Sequence, residues 1–148
     1  MERDMVPGSA DGQLDVASAE LGFTALLETW ESAVEELGCV VPAAQVRALL
    51  IVDRAGSLNL SRLAQALGAS ASATSRLCDR MEAAGLLTRE RAAASRREIV
   101  LLVTWAGRRL AGWVRARRRV VLGHVLLSMS SDGSEALARG LRELAGSD

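Results

Sequence analysis

Between Ser70 and Arg80 the chain carries short polar and cationic side chains at helical spacing: Ser72, Ser75, Arg76 and Arg80, with Asp79 among them. Thr74, Leu77, Cys78 and Met81 follow at i, i+3, i+4 and i+7 and make up the opposite, apolar face. A helix that buries one face and offers hydroxyls and guanidiniums on the other suits the major groove of a DNA duplex. There arginine takes the O6/N7 edge of guanine, and serine takes donors or acceptors alike. Arg96 and Arg97 lie in a polar stretch between two apolar runs, where a hairpin would carry them to phosphates or the minor groove. A plainer reading competes with each of these. Arg96 and Arg97 could be a solvated tip, and Arg76 and Arg80 could pair along the helix with Asp79 or Glu82, worth about 0.2–0.5 kcal/mol.

The elements that must position these residues follow from punctuation and periodicity. Residues 1–12 hold Pro7, Gly8 and Gly12 without apolar periodicity and are predicted to be a disordered leader. Leu14, Ala17, Leu21, Ala25, Leu27, Trp30, Val34 and Leu37 mark an amphipathic helix that Gly38 ends, with Glu20, Glu28, Glu31, Glu35 and Glu36 on its other face. Pro42 opens a second helix over Ala43 to Arg54. Ser57 and Leu58 can form one short strand. Asn59 then caps a helix over Leu60 to Leu67 that Gly68 ends. Ser70 caps the next helix, Ala71 to Ala84, ended by Gly85. Leu86–Arg89 and Ile99–Val103 read as a hairpin with a long charged tip over 90–98. Thr104 caps a long helix to about Met129. A final helix begins at Ser130 or Ser131, with Asp132 and Glu135 spaced as a capping box and Leu137, Leu141 and Leu144 on one stripe.

Charge is segregated along a chain that is neutral overall. Residues 1–53 hold ten acids and two arginines, residues 54–119 fourteen arginines and four acids, and residues 120–148 two arginines and four acids. A basic middle between acidic ends fits local binding of a polyanion. Arginine is the only basic residue type besides the single histidine, which fits a GC-rich coding sequence rather than a function. Two separated cysteines and one histidine lack zinc-ligand spacing, so no metal and no disulfide scaffold is expected. No nucleophile–base pair, phosphate loop or carboxylate cluster suggests an enzyme, and no cofactor is expected. The acidic N-terminus does not read as a secretory signal, and the apolar run Val120–Met129 is too short for a membrane helix, leaving the cytoplasm as the expected compartment.

The long helix needs a closer look. On a wheel of about 3.6 residues per turn, Arg117 falls within the apolar stripe of Leu110, Val114, Val121 and Val125. Arg115 and Arg119 fall on the opposite face and are expected to be solvated. Arg117 is expected to pair with Glu28, Glu31 or Glu35 of the first helix, because an unpaired buried charge is costly. Trp30, Trp105 and Trp113 are either core residues or, with Arg47, the lining of a ligand pocket. Cys39 is a weak candidate for redox sensing, Cys78 is expected to be inert packing, and His124 a satisfied interface histidine.

From Val41 to Gly107 the sequence resembles the MarR family of winged helix-turn-helix regulators. The residues that carry the likeness are Pro42-Ala-Ala-Gln45, Leu63-Ala64, Ser75-Arg-Leu-Cys-Asp-Arg-Met-Glu82 with Gly85-Leu86, Arg96-Arg97, and Thr104-Trp-Ala-Gly107. Where that family has Asp-x-Arg in the wing, this chain has Ser95-Arg96-Arg97. Where it often has arginine at the start of the recognition helix, this chain has Ala71. The resemblance implies a mainly α fold with a small β-hairpin wing, divided into an N-terminal dimerisation helix (13–40), a DNA-binding domain (41–104) and C-terminal dimerisation helices (105–148). It implies a homodimeric repressor bound to a pseudo-palindromic duplex through Arg62, Ser70, Ser72, Ser75, Arg76, Arg80, Arg96 and Arg97, with a small-molecule effector as a further partner. The alternative is a winged-helix docking module for proteins that has lost specific DNA binding, which Ala71, Ala73 and Ser95 favour and the basic middle opposes.

Overall fold

In the computed structural model, which describes residues 15–35, 41–92 and 95–146, six helices surround a small antiparallel sheet. The order is α1 (Val16–Glu35), α2 (Ala43–Ala55), β1 (Ser57–Asn59), α3 (Leu60–Leu67), α4 (Ala71–Ala83), β2 (Leu87–Ala92), β3 (Ser95–Val103), α5 (Trp105–Ser128) and α6 (Ser131–Leu144). The expected leader over 1–12, Gly38 and Cys39 lie outside the described residues. The architecture is the expected winged helix-turn-helix flanked by terminal helices.

Helix starts are set by side-chain caps. Asn59 accepts from the Arg62 amide at 2.9 Å, Ser70 from Ala73 at 3.2 Å, Thr104 from Gly107 at 3.1 Å and Ser130 from Gly133 at 3.2 Å. Each hydroxyl or amide oxygen satisfies one amide that the first helical turn leaves without a partner. The last of these corrects the expected capping box at Asp132 and Glu135. Ser130 is the cap, and its N3 position is Gly133, which has no side chain to return the bond. Gly68, with φ of +65°, ends α3 in the left-handed conformation that lets the chain turn into α4.

The sheet runs β1-β3-β2, so β3 is central. Ser57 faces Leu102 and Asn59 faces Val100 on one side, while Leu87 faces Val103 and Arg91 faces Ile99 on the other. The pairing corrects the expected hairpin. The strands do not stop at Arg89 and Ile99 but run to Ala92 and from Ser95, with a register shift after Arg91. Arg96 and Arg97 therefore belong to β3, not to a long tip. Backbone pairing does not require apolar side chains, and an exposed two-stranded ribbon tolerates charge on both faces. The expectation had tied the strand ends to the end of the apolar run.

The core is one cluster assembled from every central element. Ala48, Leu49 and Val52 of α2 meet Leu63 of α3, Leu77, Cys78 and Met81 of α4, Leu101 and Val103 of β3, and Ala111 of α5. Leu49, Val52, Leu63 and Met81 are fully buried. Burying side chains of this size contributes roughly 1.5–3 kcal/mol each. The expected inward face of α4 is thus the observed one.

The tightest joint lies where α4, the wing and α5 meet. Leu86 donates its amide to the Met81 carbonyl at 2.9 Å and accepts from the Thr104 amide at 3.1 Å. The Thr104 hydroxyl donates to the Gly85 carbonyl at 2.6 Å, and Gly85 itself has φ of +70°. The first turn of α5 lies so close that a β-carbon at Gly107 would overlap the Leu86 carbonyl oxygen and come within 2.7 Å of Val103 Cγ1. Gly107→Ala is therefore expected to cost about 1–3 kcal/mol of stability, the range for overpacking a filled site. Gly112→Ala, on the same helix but with nothing within 4 Å of the added carbon, should instead gain roughly 0.5–1 kcal/mol from helix propensity. Urea unfolding of both variants checks the contrast.

Candidate nucleic-acid interface

Helix α4 presents two faces of opposite character. Thr74, Leu77, Cys78 and Met81 are buried, and the Thr74 hydroxyl donates to the Ser70 carbonyl at 2.9 Å. Burial pushes the Cys78 thiol above its ordinary range. Ser72, Arg76 and Arg80 are exposed, and Ser75 is half-buried. The Ser70 hydroxyl, expected at the interface, is committed to capping and lies 3.2 Å from the Ser72 hydroxyl. Arg62 is exposed in the first turn of α3, where its amide donates to the Asn59 cap.

The plainer reading of Arg76 and Arg80, pairing with Asp79 or Glu82, does not hold. Those two carboxylates belong to Arg89 of β2. Arg89 Nη2 donates to Asp79 Oδ1 at 2.7 Å and to the Ser75 carbonyl at 3.5 Å, and Nη1 donates to Glu82 Oε2 at 2.5 Å. The hydrogen bond to Asp79, reinforced by Glu82, pushes Arg89 further above its already high range. Arg89 thereby binds the wing to α4 and neutralises the two acids that would otherwise oppose a polyanion. Among the described residues Arg76 and Arg80 have no carboxylate partner.

A second tie holds the other strand. Asn59, the cap of α3, donates its side-chain amide to Glu98 of β3 at 3.0 Å. The wing is thus fastened to α3 through Glu98 and to α4 through Arg89. The chain places Ser95 where an aspartate would help hold a wing arginine, and these two ties secure the wing's base by other means. The side chains of Arg96 and Arg97 lie outside the described residues, and their backbone continues β3 towards the turn. Sequence reasoning missed Arg89 and Glu98. One signal was available for Arg89: two acids three residues apart on a face otherwise carrying arginines call for a cation from elsewhere.

The four residues proposed as one pocket separate into two pairs. Trp30 and Arg47 line a cavity where α1, α2 and α5 meet. Trp105 and Trp113 line a shallow hollow along α5, where Arg109 stacks 4.8 Å from the Trp105 ring centre. Arg115 is a correction. It was expected to be solvated, yet Nη2 lies 2.5 Å from Asp53 Oδ2 of α2. The wheel treated α5 alone, whereas α2 packs along the face it had assigned to solvent. Arg117 is half-buried and engaged with a partner, and the Glu35 side chain lies outside the described residues. Among the described residues no cluster of three His, Cys, Asp or Glu could hold a metal ion, and no helix is long and apolar enough to cross a membrane.

Residues 41–98 match the MarR family. The HTH-type transcriptional regulator YfiV of Bacillus subtilis is 28% identical over 101 residues, which take in 68% of this chain and 63% of that protein. RV1404 of Mycobacterium tuberculosis is 28% identical in its crystal structure, with a TM-score of 0.77 over 95% of this chain and 97% of that one. The MarR family protein RV2887 of the same organism, in complex with salicylic acid, shares the fold at 22% identity and a TM-score of 0.64, over 93% of this chain and 99% of that one.

Arg89→Ala should free the wing rather than unfold the domain. Amide exchange over β2 and the outer half of β3 should quicken severalfold, while stability falls by only about 1–2 kcal/mol, as for partly exposed charged hydrogen bonds. In a Cys39→Ser variant, Cys78 should resist alkylation near neutral pH until denaturant unfolds the chain, because its thiol is both buried and held protonated. Mass spectrometry of the alkylated protein reads that outcome.

Proposed function

We propose that this chain, whose residues 41–98 match the MarR family, regulates transcription by binding duplex DNA as a homodimer through α4 and the wing. The observation that carries this reading is the arrangement of charge on α4. Its acids are neutralised by Arg89, and its outward arginines are left without partners among the described residues. Arg76 and Arg80 would enter the major groove, with Ser72 and Ser75 beside them. Arg62 would reach the adjacent backbone, and Arg96 and Arg97 the phosphates or the minor groove. Ser70 contributes as the cap that fixes the helix start. Ala71 and Ala73 can offer only methyl contacts, so discrimination among sequences rests on Arg76, on thymine methyls and on groove shape.

The dimer reading is supported by the terminal helices. Val16 is 70% exposed, Leu127 84% and Leu144 81%, and α6 contributes no buried side chain. Together α1, α5 and α6 line an apolar groove of about 990 Å³. A second copy laid against it would bury these faces and present two α4 helices, one to each half of a pseudo-palindromic site. Repression of the bound promoter, a small-molecule effector as in the salicylic acid complex of RV2887, and a cytoplasmic location complete the proposal.

Titration of the dimer with a labelled arbitrary duplex tests it. Affinity should fall steeply with salt, and Arg96→Ala with Arg97→Ala should reduce the salt slope by about 1–2 units for every sequence alike. Arg76→Ala should cost about 1–3 kcal/mol on a site selected from a random library, without lowering the melting temperature. A chain that ignores duplex at low salt would instead be a docking module for protein.

A further inference from the structure

The outer face of α4 carries a restricted set of chemical groups. Ala71, Ser72, Arg76, Asp79 and Arg80 are exposed there, and Ser75 is half-buried. The helix contains no asparagine or glutamine. Its two carboxylates, Asp79 and Glu82, are both held by Arg89, at 2.7 Å and 2.5 Å. The first turns of α4 are therefore left with guanidinium donors, two serine hydroxyls and the methyl group of Ala71. The Ser72 hydroxyl lies 3.2 Å from that of Ser70, which in turn accepts from the Ala73 amide. This cap fixes the leading end of the helix, and with it the positions of Ala71 and Ser72.

That inventory limits which bases α4 can tell apart. In the major groove adenine is distinguished by a side chain that both donates and accepts, as asparagine and glutamine do. Cytosine is distinguished by a carboxylate that accepts from its amino group. The first kind is missing from α4, and the second is occupied by Arg89. Serine hydroxyls donate or accept alike and discriminate little. Two contacts remain: arginine with guanine, and an apolar group with the ring methyl of thymine. In a helix-turn-helix the first residues of the second helix are the ones that reach base edges. Ala71 is the first residue of α4, and Arg76 follows on the exposed face. We infer that Ala71 reads the ring methyl of a pyrimidine, beside a guanine taken by Arg76. A methyl contact is blind to the rest of the base edge. The duplexes recognised therefore carry a methylated pyrimidine in each half-site, and methylcytosine, with its methyl on the same ring carbon, substitutes for thymine there. The inference rests on the DNA reading above and adds the group that is read.

The test starts from a duplex selected by the full chain from a random library. Each thymine of that duplex is replaced in turn by uracil, which lacks only the methyl group. At one symmetric pair of positions the replacement should weaken binding about three- to fourfold per half-site, the equivalent of roughly one buried methylene. At the same positions methylcytosine should bind more tightly than cytosine by a similar factor. Ala71→Gly and Ala71→Ser should each abolish both preferences. Ala83→Gly, in the last turn of α4, should keep them. Circular dichroism and affinity for an arbitrary duplex at low salt confirm that each variant is folded and still meets DNA. Uracil without effect at every thymine, cytosine and methylcytosine bound alike at the thymine positions, or a methyl preference that survives both Ala71 variants would each overturn the inference and leave the DNA reading standing. Absence of binding to any duplex at low salt would overturn both.

Discussion

The structure turns on the approach of Gly107 to Leu86. At that point the end of α4, the start of β2 and the first turn of α5 share one set of backbone contacts, with Leu86 bonded to both Met81 and Thr104. A side chain at 107 would force α5 away, and with it the joint that fixes the direction in which α4 leaves the core. Because Thr104 caps α5 and also bonds Gly85, the orientation of the long helix is set by the same residue that closes the end of α4. Movement of α5 therefore has a direct mechanical path to α4. A folded core resists continuous deformation and passes such displacements on as shifts of whole elements.

Electrostatics are arranged around that joint in two separate concentrations of arginine. One is the outward face of α4 with the wing, where Arg89 removes the opposing acids. The other surrounds the cavity between α1, α2 and α5, where Asp53 offsets only Arg115. Helix α2 borders the cavity through Arg47, Leu50, Ile51 and Arg54, and its Leu49 and Val52 belong to the same core cluster as Leu77, Cys78 and Met81 of α4.

Much of this was legible in the sequence. Element order, the buried face of α4, and the caps Asn59, Ser70 and Thr104 follow from local periodicity and from residues whose side chains answer the needs of a helix start. What escaped depends on contacts distant in sequence. Arg89 reaches acids ten and seven residues back, Glu98 reaches Asn59, and Arg115 reaches Asp53. A helical wheel sees one helix and cannot know which neighbour covers it. Strand ends were misjudged for a related reason: the apolar run stops at the edge of the core, but the backbone ladder of the wing continues beyond it. Trp30 and Trp105 are the same residue type, and only the packing shows that they line different cavities, Trp30 beside α2 and α5 and Trp105 along α5.

The central claim, that α4 and the wing together form the face that meets duplex DNA, is tested most directly by hydrogen exchange of the full chain with and without a bound duplex. Exchange should slow over residues 71–80 and along the wing strands β2 and β3, while the exposed ends of α1 and α6 stay unchanged. Protection confined to α1 and α6, or none at all with duplex in saturating excess, would contradict it.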